Sequence, residues 1–201
     1  KLMTSNDQLL RISPAELEPL WEPFRAGDLL LPHRLAMAPM TRDRSYEDGT
    51  PSKMNARYYA QRASMALLIS EGTQPSEDRQ GYLLTPGVHS DKHVDGWRAV
   101  TGAVHEAGGR IVVQLMHVGR VAHPDNTPHG RRPVAPSPVA PATPMFTASG
   151  MQPIPEPREL SAAEVRGVVD EFRQAARMAM TAGADGVEIH LVVRSDVHAR
   201  G

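Results

Sequence analysis

The sequence predicts an α/β fold: a (β/α) barrel with about the first four strand–helix units present. Three observations carry this. Short apolar runs alternate with amphipathic helical stretches in the order strand–helix–strand–helix–strand–helix–strand. That order calls for parallel strands joined by right-handed crossovers. Next, each run is apolar along its length and polar at its C-terminal edge: Thr41, Glu71-Gly72-Thr73, Gln114 with His117, and His190. Parallel α/β sheets meet their ligands at the carboxyl ends of the strands. Finally, the phosphate fingerprints of open-sheet nucleotide folds, GxGxxG and GxxxxGK[ST], are absent. That favours a barrel over an open sheet.

The elements follow in order. Residues 1–20 are a polar N-terminal extension, loosely held as termini often are. Trp21-Glu22-Pro23-Phe24 reads as a short docking segment against a helix. Residues 34–40 are the first strand, closed by Pro39, which cannot continue a central ladder. Residues 51–64 read as a helix with Pro51 in its first turn and Met54, Tyr58 and Gln61 along one side. Residues 66–69 are the second strand. Residues 91–107 are the second helix, with Asp91 as cap and Val94, Trp97, Val100/Thr101 and Val104 on its apolar face.

The third strand anchors the reading. Gly108 and Gly109 stop the preceding helix, and Ile111, Val112 and Val113 form a buried apolar run. Gln114 then stands at the polar edge. Its amide both donates and accepts, which suits a planar heterocycle, or equally the capping of a neighbouring loop. From Pro124 to Pro157 prolines recur every few residues, the composition of a long irregular loop. Ser161 to Glu164 is a capping box. Behind it Val165, Val168/Val169, Phe172, Ala175/Ala176 and Ala179 keep one apolar face as far as Met180. Gly183 ends that helix, and residues 186–189 are the fourth strand, with His190 at its edge.

Composition bounds the function. With 201 residues, 40% hydrophobic, the chain can bury one sizeable core. A formal net charge of −1 points neither to nucleic acid nor to an anionic membrane. No apolar run reaches the roughly 18 residues of a membrane span, and no secretory signal pattern opens the sequence. The absence of cysteine suits a cytoplasmic protein. The nine histidines are scattered, and only His89 and His93 share a helical spacing. No carboxylate stands beside them as in a metal-binding helix, so most read as surface or loop residues and no metal is expected.

Several runs together resemble one family. RLAMAPMTR (34–42), YYAQRAS…LLISEGT (58–73), the segment 81–120 and DGVEIH (185–190) are similar to the old yellow enzyme family of FMN-dependent ene-reductases. VAPS (134–137), REL (158–160) and FRQAA (172–176) fit as well. The resemblance spans residues 20–190 and lies nearest the bacterial alkene reductases, also called N-ethylmaleimide reductases. It implies a (β/α)8 TIM barrel of which residues 21–190 are the N-terminal half. FMN is the implied cofactor, NADH or NADPH the hydride donor, and a small activated alkene the substrate. It implies backbone contacts to the flavin ring from Ala38, Pro39 and Met40, and a hydroxyl from Thr41 near the flavin C4 carbonyl. Gly72 would let the backbone approach the ring, and Gln114 would bond its pyrimidine side. His190 would be one of two donors to the substrate's carbonyl or nitro oxygen, and Tyr82 would line the substrate pocket.

The resemblance stops abruptly. After His190 the family pattern continues with a second donor, where Val193 stands here, and a proton-donating Tyr, where Ser195 stands. Residues 191–201 are off-pattern, as a reading-frame shift or a truncation would produce. The family's strand-five Arg and its phosphate-binding loops after the last two strands have no counterpart. The expectation is therefore an FMN oxidoreductase, inactive or nearly so in this form. The alternative is a non-catalytic half-barrel that self-associates through its open edge, giving a homo-oligomer. A lyase of the aldolase type would want a Lys at a strand end, and none of the polar edges has one.

Overall fold

The computed structural model describes residues 13–190. Four parallel strands form its sheet: β1 (Ala36–Met37), β2 (Leu67–Ile69), β3 (Ile111–Met116) and β4 (Gly186–His190). Their spatial order is their chain order, each paired in parallel with the next. An open doubly wound sheet reverses its order at a switch point. A consecutive series of parallel strands is the wall of a barrel. The connecting helices are α1 (Lys53–Ala60), α2 (Asp91–Glu106) and α3 (Ala162–Thr181). None of them is long and apolar enough to cross a membrane.

The core lies between the helices and the outer face of the sheet. Met37, Leu68, Ile111, Val113 and Leu115 point outward, alternating with residues that point the other way, and all five are buried. Trp97, Val100 and Val104 of α2 and Ala175 and Ala179 of α3 close over them. Trp97 is fully buried, and its indole N–H donates to the Gly87 carbonyl at 3.0 Å, so the ring brings no orphan donor into the core. α3 is tied to α2 by Thr101, whose hydroxyl donates to the Ala182 carbonyl at 2.6 Å. Gly183 follows with φ +88°, the left-handed turn that releases the chain into β4. Asp185 then accepts the Ile111 N–H at 2.8 Å, setting the register of β4 against β3.

Several boundaries differ from the sequence expectation. The first strand shrinks to two paired residues. Pro51 precedes the helix, and Ser52 is the N-cap, bonded reciprocally to Asn55. Met54 is 61% exposed, Tyr58 and Ala56 pack partly buried against the core, and the residues α1 buries fully are Asn55 and Tyr59. Ser90 caps α2, its hydroxyl accepting the His93 N–H, while Asp91 falls inside the first turn, where a carboxylate suits the helix dipole. The capping box at Ser161 and Glu164 forms as expected. On α3, however, Val165, Val169 and Met180 are exposed, because only the Ala175/Ala179 side meets the sheet.

Two hairpins escaped the sequence reading. Phe24–Ala26 pairs with Leu29–Leu31 around Gly27-Asp28, so the expected docking segment runs into a strand and leaves Trp21 and Phe24 exposed. Pro144–Thr147 pairs with Gly150–Pro153, and Val134–Ala135 pairs with Arg158–Glu159. The proline-rich stretch is thus built rather than irregular. Of the N-terminal extension, Pro14–Leu17 is a capped helical turn, and residues 1–12 lie outside the described residues.

Candidate active site

The concave face of the sheet is the other half of the alternation. Leu67, Ile69, Val112, Met116, Gly186, Glu188 and His190 are all only partly buried there. Gln114 is the exception at 4% exposure. Its neighbour across the β3–β4 ladder is Glu188, and its Nε2 donates to the Glu188 carboxylate at 2.6 Å. That charge-assisted bond fixes the amide plane. The backbone N–H of Gln114 donates to Ser70 Oγ at 2.9 Å, which anchors the strand beneath the side chain. Glu188 had no role in the sequence reading. The signal was there: in GVEIH, Gly186, Glu188 and His190 share one face by the period of two.

The exit of β1 carries the other expected cofactor residues. Ala38, Met40 and Thr41 are exposed at the rim, and Pro39 is partly buried. Behind this segment lies Glu71, fully buried at the exit of β2. Its carboxylate accepts from Arg42 N–H, Asn55 Nδ2 and Tyr59 OH. Burial raises its pKa, and the bonds from Arg42, Tyr59 and Asn55 oppose that rise. Next to it, Gly72 packs against Met116: a Cβ at Gly72 would lie 2.5 Å from the Met116 methyl. The missing side chain therefore serves a close contact across the strand exits.

Tyr82 and His190 come to one site. Both line a cavity of about 460 Å³ with Met116, Val118, Phe146 and Met151. The last two are cross-strand partners on the 144–153 hairpin, so this hairpin roofs the cavity. Sequence reading missed it because prolines masked the short alternating runs on either side of Ala148-Ser149. Arg120 holds the loop beneath, donating to Ser137 Oγ at 3.0 Å within the VAPS run. His117 belongs to the rim but turns inward. Its Nδ1 accepts the Gly119 N–H at 2.8 Å, its Nε2 is buried without a partner among the described residues, and burial pulls its pKa down to about 4. Arg79 and Glu171 form a two-bond pair at 2.8 and 2.9 Å that ties the loop after β2 to α3.

Of the paired histidines, His89 does lie in the loop before α2, while His93 is inside the helix. His93 is buried and shares a hydrogen bond of 2.8 Å with the Asp48 carbonyl. His89 stacks edge-on against it at 4.3 Å, and burial holds the His89 pKa down at about 4. Among the described residues no group of three or more His, Cys, Asp or Glu side chains is placed to hold a metal ion. Val193 and Ser195, the off-pattern positions, lie outside the described residues.

A consecutive parallel sheet with polar strand ends facing an open concave side defines a (β/α)-barrel protein with its site at the carboxyl ends. Residues 19–193 match the model of the NADH:flavin oxidoreductase / NADH oxidase family, and the chain belongs to that family. It is 41% identical over 181 residues to 12-oxophytodienoate reductase 1 of Oryza sativa subsp. japonica, covering 90% of this chain and 46% of that protein. It is 38% identical over 179 residues to a probable flavin mononucleotide-dependent alkene reductase of Leishmania infantum, covering 87% of this chain and 49% of the relative. Among solved structures, morphinone reductase in complex with tetrahydroNAD superimposes with a TM-score of 0.80 at 44% identity, over 85% of this chain and 48% of that one. The old yellow enzyme homologue of Zymomonas mobilis does so with a TM-score of 0.82 at 42% identity, over the same shares. The chain thus spans about half the length of the relatives it matches, and its four strands are half of a (β/α)8 barrel.

Proposed function

We propose that this chain carries the ring-binding half of an FMN site in an NAD(P)H-dependent ene-reductase. The observation that carries the reading is the collection of Ala38, Pro39, Met40, Thr41 and Gln114 along one rim of the concave face, beside the cavity that holds Tyr82 and His190. The donor set fits a flat heterocycle. An exposed hydroxyl and backbone stand at the β1 exit, and an amide held in plane by Glu188 stands at β3. FMN, when bound, would supply hydride transfer from NADH or NADPH to the β-carbon of an activated alkene.

The side chains supply the rest. Thr41 would place a hydroxyl where negative charge develops on the ring, and Gln114 would bond the ring's pyrimidine side. His190 would donate to the carbonyl or nitro oxygen of the alkene and withdraw charge from the double bond. Tyr82, Phe146 and Met151 would shape the pocket and keep water from it. Residues 1–201 by themselves would hold FMN weakly, because the concave face is open to water, where ring hydrogen bonds compete with solvent.

The test is to express residues 1–201, add FMN, pass the mixture through gel filtration and assay alkene-dependent NAD(P)H oxidation. The expected result is fast FMN exchange and turnover well below about 1 s⁻¹, the low end of ordinary enzymes. Stoichiometric retained FMN with turnover of about 1 s⁻¹ or faster would show a complete working site and overturn the weak-binding part.

A second reading is a half-barrel that self-associates. Its support is the edge at β4: among the described residues β3 is its only strand partner, and Ile189 and Met180 beside it are 56% and 51% exposed. Unpaired edges recruit strands from other chains. A concentration-dependent dimer in sedimentation, with no response to FMN, would favour it.

A further inference from the structure

We propose that Glu71 is a positioning residue. From behind the site, it holds the β1 exit segment in the shape that presents Ala38–Thr41 to the flavin ring. The inference rests on the ring-binding reading above and adds to it a residue that makes no contact with the ring.

Glu71 is fully buried, and a buried carboxylate is costly unless donors surround it. Here they do. Its Oε2 accepts the Arg42 N–H at 2.9 Å. Its Oε1 accepts from Asn55 Nδ2 at 3.0 Å and Tyr59 OH at 3.3 Å. Tyr59 OH in turn accepts the Glu71 N–H at 2.8 Å, so side chain and main chain are fixed together. Asn55 and Tyr59 stand one turn apart on α1, and these two polar residues are what that helix buries.

The same network grips the segment a second time. Asn55 Oδ1 accepts the Ser52 N–H at 2.9 Å, and Ser52 Oγ donates to the Arg44 carbonyl at 2.6 Å. Arg42 and Arg44 are therefore pinned on either side of Asp43. Asp43 sits at φ +51°, a left-handed conformation that side chains other than glycine rarely adopt, with one carboxyl oxygen buried and unpartnered. A residue with such a backbone persists only where its surroundings over-determine it. The pinned turn begins one residue after Thr41, so its geometry sets the direction in which residues 38–41 leave the strand. A surface salt bridge would not need this investment. A rim whose backbone must meet a rigid planar ring does.

The experiment uses residues 1–201, isotope-labelled, with Glu71→Ala, Glu71→Gln and Tyr59→Phe. Two quantities are read: hydrogen exchange at the Arg42 amide relative to the Val113 and Leu115 amides, and FMN affinity from shifts of the Ala38, Met40 and Thr41 amides on titration. Glu71→Ala is expected to speed Arg42 exchange about tenfold beyond any change at Val113 and Leu115, and to weaken FMN about tenfold, the scale of one lost buried hydrogen bond. Glu71→Gln keeps an oxygen for Arg42 and is expected to recover most of both. Should Glu71→Ala not fold, Tyr59→Phe removes a bond on each side of Glu71 and carries the test with the same signs. Unchanged Arg42 exchange overturns the proposal, and so does accelerated exchange with unchanged FMN affinity. A parent chain whose Ala38, Met40 and Thr41 amides ignore FMN would instead sink the ring-binding reading. The Arg42 exchange would still decide whether Glu71 holds the segment.

Discussion

The two faces of the sheet are made from alternating residues of the same strands, yet they behave as different materials. On the helix side Leu68, Ile111, Val113 and Leu115 are fully excluded from solvent. On the concave side their neighbours Leu67, Ile69, Val112 and Met116 remain partly exposed. One face is a finished core; the other is a wall that waits for contents. The difference teaches where stability and function divide. Stability belongs to the convex side, where apolar burial is complete on β2 and β3 and breaks off at Ile189 of β4. The polar residues that can do chemistry lie on or behind the concave rim.

The largest effect should come from the convex side. Trp97→Ala empties the centre of the core and should cost about 3–5 kcal/mol, read by chemical denaturation. Met116→Ala on the concave face should cost about 1 kcal/mol or less, because that side chain is only partly removed from water. Equal losses would erase the distinction between the faces. Gln114→Leu should come next. It should weaken FMN by about 1–3 kcal/mol, the cost of lost hydrogen bonds to a buried polar ring. Unchanged affinity by fluorescence quenching would remove Gln114 from the site. Thr41→Ala should leave the unfolding midpoint unchanged and lower the reduction potential measured at saturating FMN, since it removes a donor to developing negative charge. A potential that stays or rises would contradict that role.

The smallest effect is in pH dependence, and its sign follows from burial. His89 and His117 are held at about 4, below the 6.5 of a free histidine. Between those values the unfolded chain takes protons that the folded chain refuses, so stability should fall as pH drops from 6.5 toward 4. Glu71, raised by burial, acts in the opposite sense above 4.5 and blunts the slope. His89→Gln should reduce that dependence without abolishing it, because His117 and His93 are also held down by burial. A stability that is level across that window would show that these rings are hydrated.

Much of this division was legible in the sequence. Short apolar runs and polar strand ends marked β2, β3 and β4, and the α2 stripe from Val94 to Val104 is the stripe that is buried. Gln114, Tyr82 and His190 were named from strand edges and family resemblance, and Tyr82 and His190 do share a cavity. What was not legible is whatever depends on partners distant in the chain. On α1 the sequence put Met54 beside Tyr58, and only Tyr58 reaches the core, because nothing local says that Asn55 and Tyr59 must serve a carboxylate sixteen residues on from Asn55. Val165 and Val169 looked like core, since an apolar stripe does not reveal how much of it a neighbour covers. The 144–153 hairpin hid among prolines, whose loop signal outweighs two four-residue strands.

The central claim is that the concave rim, not the helix side, is the flavin-ring surface. A residue-resolved footprint tests it most directly: titrate FMN into labelled residues 1–201 and follow every assigned amide. Shifts are expected to concentrate at Ala38, Met40, Thr41, Gly72, Gln114 and His190, with Val100, Val104 and Ala179 on the helix side unmoved. Shifts centred instead on the His89/His93 cleft, or no shifts at the β1 and β3 exits, would contradict it.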